Sequence, residues 1–141
     1  FALLGFAVLF ASGWWVETTF SHTSFLTLLG LVLMLVSAFI PGLAWRPLGN
    51  TLLAYAFAAR IPVLIVMFFA LRGNGGQGWG THYDAVAPMF AHSSLAKKFF
   101  YEAFLPQMTM WIGWTVVVGS LLGSIVVAVA RPHKRTVQAP I

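Results

Sequence analysis

Along the chain, apolar residues gather in four long runs separated by polar stretches, without the two-residue alternation of a barrel wall. The first run is FALLGFAVLFASGWW, residues 1–15; the others cover about 25–45, 51–71 and 108–130. A transmembrane helix needs roughly 20 apolar residues at 1.5 Å each, so four spans and their loops use the whole length. The chain opens at Phe1 inside an apolar run with no basic flank before it. The expectation is that the natural N-terminus lies upstream and the first span is incomplete.

The polar stretches set the connections. Glu17 to Ser24, with His22, separates the first two runs. Pro41 and Gly42 would end or kink the second helix, and Arg46, Pro47, Gly49 and Asn50 read as a tight turn. After Arg72 comes GNGGQGWG, too rich in glycine to hold a helix or strand, and read as a flexible hinge. The polar segment from about 72 to 107 is then one long loop on the outer side. Within it, SSLAKKFFYEAFLP places Leu95, Phe99 and Ala103, with Ala96, Phe100 and Phe104, on one helical stripe. Lys97, Lys98 and Glu102 face away from that stripe, with Lys98–Glu102 an i,i+4 pair. This segment predicts a short amphipathic helix lying on the membrane surface. The predicted fold is an all-α integral membrane protein: one domain over 1–141, a four-transmembrane-helix bundle with one short interfacial helix before the last span.

Composition agrees with the pattern. Hydrophobic residues make up 60% of the 141, charged residues only 8%, and mean hydropathy is +0.87. A water-facing surface cannot be built from that set, since soluble domains carry about 25% charged residues. The net charge of +5 and pI near 10.3 would point to nucleic acid in a soluble protein. Here Lys and Arg sit at the ends of apolar runs, as helix anchors, and no basic face meets phosphates, so nucleic acid is not among the expected partners. Cysteine is absent, which excludes disulfides, thiolate metal sites and cysteine nucleophiles.

Charge also suggests an orientation. With both termini cytoplasmic, that side holds Arg46, Arg131, Lys134 and Arg135, against Arg72, Lys97 and Lys98 outside. Trp14, Trp15, Trp111 and Trp114 would share one outer belt. The expected location is a bacterial cytoplasmic (inner) membrane.

Arg60 is the sharpest chemical signal. It lies near the middle of the third run, roughly 13 Å from either end, where a cation costs about 2.5–3.5 kcal/mol on insertion scales. Pro62 cannot donate to the Ala58 carbonyl, which leaves that oxygen free nearby. No Asp or Glu falls inside any predicted span: Glu17, Asp84 and Glu102 read as interfacial or outside. The cation therefore needs Asp84 folded inward, a wet cavity, an anion from outside the chain, or carbonyls and hydroxyls such as Ser37, Thr109 or Thr115.

Other constellations carry less. Trp79, His82, Tyr83 and Asp84, with His92 and with His22 and Glu17 on the same side, offer imidazole and carboxylate, the groups of zinc sites and acid–base catalysis. Their spacing matches no metal or nucleophile motif, and an ordered docking loop is the preferred reading. Gly119 and Gly123, flanked by Ser120 and Ser124, form G-x-x-x-G and read, with Pro62, as helix-packing positions, within the chain or against a partner. The glycine stretch lacks the G-K-[ST] ending of a phosphate loop. No histidine lies inside a span, His133 being in the tail, which disfavours bis-histidine haem and leaves any cofactor unknown. The embedded glutamate of small multidrug exporters and the paired cysteines of quinone-coupled disulfide formers are both absent.

The leading expectation is a non-catalytic accessory or structural subunit of a larger membrane complex, partnered by lipids and other membrane subunits. The alternatives are a small oligomeric transporter or channel using Arg60 for an anionic solute, and a membrane enzyme with an outer-loop site at His82 and Asp84.

Overall fold

The computed structural model describes residues 1–19 and 24–130; His22 and the basic tail from Arg131 onward, with its share of the orientation reading, lie outside the described residues. The described chain is all-helical, with no strand. In order, the helices are α1 (Ala2–Thr19), α2 (Ser24–Ser37), α3 (Ile40–Ala44), α4 (Arg46–Gly76), α5 (Leu95–Lys98), α6 (Leu105–Met108) and α7 (Met110–Ala130). A π-helical segment, Phe99–Phe104, joins α5 to α6. Four stretches are long and apolar enough to cross a membrane: Ala2–Thr19, Phe25–Ala44, Arg46–Gly76 and Leu95–Ala130. Those four point to a membrane protein.

Helix α7 is the axis of the bundle and packs on α1, α2, α3 and α4. One core cluster joins Ala38, Ala56, Ile112 and Val116; a second joins Leu9, Met34 and Val117. Small residues bring these helices close. A Cβ on Gly113 would run into the Met34 carbonyl oxygen and the Leu9 side chain, so α7 and α2 can meet here only through glycine. Two hydroxyls inside the bundle are satisfied by their own helices: Ser12 donates to the Val8 carbonyl at 2.7 Å, and Ser37 to that of Met34 at 2.6 Å, while the buried Ser120 hydroxyl on α7 has no partner among the described residues.

Pro41 has no N–H for the Ser37 carbonyl, and the second helix breaks just before it, at Ala38 and Phe39, before resuming as α3. The expected turn at Arg46, Pro47, Gly49 and Asn50 is instead the first turn of α4. Pro47 is favourable there because N-terminal N–H groups have no helical partner in any case. Gly49 serves close approach: a Cβ would lie 2.7 Å from the Gly42 Cα on α3. The chain reverses at Trp45 alone, with φ −140° and ψ 78°.

The outer segment departs further from expectation. The helix predicted to lie apart on a membrane surface is joined end to end with the last span, as one apolar stretch from Leu95 to Ala130. Pro106 falls in the first turn of α6 after the widened π-turn, where the Leu105 N–H reaches back to the Phe100 carbonyl. That register also turns the side chains. Lys98 and Glu102 form no ion pair, because an i,i+4 spacing no longer faces across a π-turn. Glu102 is instead part-buried, with one carboxylate oxygen inaccessible and unpartnered, while Phe100, Tyr101 and Phe104 are exposed.

Candidate functional site

Helix α4 carries Arg60 on the line of Ala56 and Leu64, the face buried against the bundle. Across from it lies the junction of α6 and α7. Gln107, buried to 8% exposure, accepts a hydrogen bond from Arg60 Nη1 at 3.2 Å through its Oε1. Its amide nitrogen is directed at Met67 Sδ, 3.7 Å away and about two turns beyond Arg60 along α4. One turn beyond Gln107, the Trp111 ring takes the guanidinium on its face, 5.5 Å from Cζ to centroid. The cation is thus clasped by an amide and an indole, both neutral.

The clasp is incomplete. Arg60 Nε is buried without a partner, and no further bond is made to Nη2, which is not enclosed. None of the hydroxyls expected to help does so. Ser37 donates to Met34, Thr109 to the Leu105 carbonyl at 2.7 Å, and Thr115 to the Trp111 carbonyl at 2.7 Å. Asp84 does not fold inward to Arg60 either. Among the described residues no carboxylate pairs with the guanidinium. The buried, unbonded Nε keeps its desolvation cost, and Nη2 is left open to a partner.

Trp111 was expected at the outer surface with Trp14, Trp15 and Trp114. Its contact with Arg60, twelve residues or roughly 18 Å of helix before Arg72, places it well along α4 from that end. Trp15 ties the end of α1 to the start of α2, its ring N–H donating to the Leu26 carbonyl at 3.2 Å. Pro62, expected as a packing position, is exposed. Gly119 and Gly123 face α4 within this chain: a Cβ on the first would meet Leu52 at 2.7 Å, and on the second Leu48 at 3.1 Å.

The loop residues form a separate structure. Asp84 accepts the Gly80 N–H at 2.9 Å, the Thr81 N–H at 2.8 Å and the Thr81 hydroxyl at 2.5 Å. Thr81 accepts in turn from the Tyr83 N–H, completing a reciprocal cap on the single turn His82–Asp84. The Thr81 hydroxyl, with the two backbone N–H groups, holds the Asp84 carboxyl below the usual carboxylate range, against a smaller upward push from desolvation. His82 is exposed and stacks obliquely on Tyr83 at 3.9 Å between centroids; His92 is exposed and makes no ring contact with either. Trp79 covers Gly73, where a Cβ would strike its ring. The glycine stretch is closed on itself by the Gly78 N–H to the Gly73 carbonyl and by Asn74 Nδ2 to the Gly78 carbonyl, at 3.0 and 2.7 Å. Among the described residues no three His, Asp or Glu side chains gather as a metal set.

Sequence reasoning missed Gln107. It fell one residue outside the span predicted from Met108. Its i,i+4 spacing to Trp111, on a helix that Arg60 must face, was the signal available. Compared with known protein families, curated proteins and solved structures, the chain matches none.

Proposed function

We propose that the protein is a non-catalytic subunit of a larger integral membrane complex. The observation that supports this is the unbalanced charge at Arg60: a guanidinium in the apolar part of the bundle bonded only to neutral groups, with Nη2 still open. A cation in that setting is stabilised most by an anion arriving from outside the chain. Transport of an anionic solute finds less support, because Arg60 lines none of five cavities of about 80–450 Å³. The outer-loop enzyme reading loses its carboxylate, since Asp84 is occupied by its cap.

The test is the state of the chain extracted from its native membrane in mild detergent. A complex of fixed stoichiometry with other membrane proteins is expected, and Arg60→Leu should release the chain from it. A monomer or a pure homo-oligomer would sink the proposal.

A further inference from the structure

A second cationic site lies at the other end of α4, away from Arg60 and independent of it. Arg72 and Lys98 line one cavity of about 390 Å³ between the end of α4 and the start of α5. Arg72 is exposed, Lys98 is part-buried, and neither forms an ion pair. Two like charges sharing a cavity repel each other, so the arrangement is relieved when an anion sits between them.

The rest of the lining suits one kind of anion. Ser93 adds a hydroxyl that makes no other bond. Gly75 and Gly76 hold φ of +70° and +93°, and a Cβ on either would meet nothing within 4 Å. No side chain therefore fills the space beside their backbone, which leaves room for a bulky group there. Leu71 and Leu95 supply apolar walls beside these polar groups. One acid, Asp84, lines an adjoining cavity that shares Lys98, and its carboxylate oxygens are taken by Thr81 and Gly80. Arg72 and Lys98 also stand where two candidate spans, Arg46–Gly76 and Leu95–Ala130, have their ends on the same side. Headgroup phosphates lie at that level of a bilayer.

We propose that this cavity is a binding site for a phosphate group, taken from the headgroup of an anionic phospholipid. Arg72 and Lys98 donate charge-assisted hydrogen bonds to the phosphate oxygens, and Leu71 and Leu95 meet the glycerol and first methylenes.

Native mass spectrometry of the full chain in mild detergent tests it, with phosphatidylglycerol, phosphatidylcholine and inorganic phosphate as probes. The chain should retain one phosphatidylglycerol about ten-fold better than phosphatidylcholine. Arg72→Gln with Lys98→Gln should abolish that preference, each single change should weaken it, and Lys97→Gln, outside the cavity, should leave it intact. Inorganic phosphate that binds and displaces the lipid, with the same dependence on Arg72 and Lys98, supports the phosphate site and makes free phosphate its source. Phosphate that fails to compete supports the lipid. Undiminished preference in the double variant overturns the proposal, as does an equal loss in Lys97→Gln, which would reduce the effect to net charge. Helix content by circular dichroism accompanies each variant, and the exposed Arg72→Gln single change carries the test if the double variant fails to fold.

Discussion

Arg60 and Asp84 are both lone charges, but their surroundings are opposite. Asp84 stands in an exposed loop where water would satisfy it, yet it collects three donors within four residues of sequence. Arg60 stands among packed helices, where every unmade bond is costly, yet it has one hydrogen bond and one aromatic face. A local motif such as a cap needs only a few residues with the right turn, and the loop supplies them. A guanidinium on a helix must find its partners on another helix, at a depth fixed by packing. Here that other helix offers an amide and an indole. The loop is complete in itself; the bundle interior is not.

The largest effect should come from removing the one strong acceptor at Arg60. Gln107→Leu leaves the guanidinium with Trp111 alone and should lower stability by about 1.5–3 kcal/mol, the range for a lost hydrogen bond to a charged group. Arg60→Leu should cost less, because it removes the desolvation of the charge together with its bond. The double variant Arg60→Leu/Gln107→Leu should return to within about 1 kcal/mol of the parent, as apolar replacement of a buried polar pair tends to do. Thermal unfolding of the purified chain in detergent measures all three. If Gln107→Leu is no worse than Arg60→Leu, the hydrogen bond carries little and the contrast with the loop narrows.

The same contrast explains what could be read from the sequence. Four helices long and apolar enough to span were legible, because apolar runs of that length leave few alternatives in composition. Arg60 stood out because its neighbours are so uniformly apolar. The connections were less legible, since proline and glycine have two meanings. Pro47 and Gly49 looked like a turn but serve as a helix start and a backbone crossing, a distinction that depends on Gly42 in another helix. The last span looked as if it began at Met108, and the π-turn before it changes which residues face inward, Glu102 among them. Gln107 was hidden by that same boundary.

A smaller effect should appear in the loop when its geometry, rather than its charge, is disturbed. Gly78 has φ +84°, and a Cβ there would run into the Asp84 carboxylate. Gly78→Ala should therefore destabilise the loop locally by more than about 1 kcal/mol, the usual penalty for alanine at positive φ. Hydrogen exchange at the amides of Gly80, Thr81 and Tyr83 should quicken while that of α7 stays unchanged. Equal quickening in α7 would mean that loop and bundle unfold together and are not the separate units contrasted above.

The smallest effect is the titration of Asp84 itself. Its carboxyl is held below the usual carboxylate range, first by the Thr81 hydroxyl and then by the Thr81 and Gly80 N–H groups, all of which prefer the ionised form. Because the folded value is depressed, the capped loop gains stability that is fully present above the ordinary carboxylate range. That gain disappears as pH falls through the lowered value. Exchange at the Thr81 and Gly80 amides should thus stay protected through the pH at which an ordinary aspartate protonates, and open only in stronger acid. Asp84→Asn keeps an acceptor oxygen but cannot titrate, so its protection should be weaker at neutral pH and flat in acid. A Thr81 amide that loses protection at the ordinary carboxylate pH would show that the cap does not hold the ionised form, and that Asp84 is no better served in its loop than Arg60 is in the bundle.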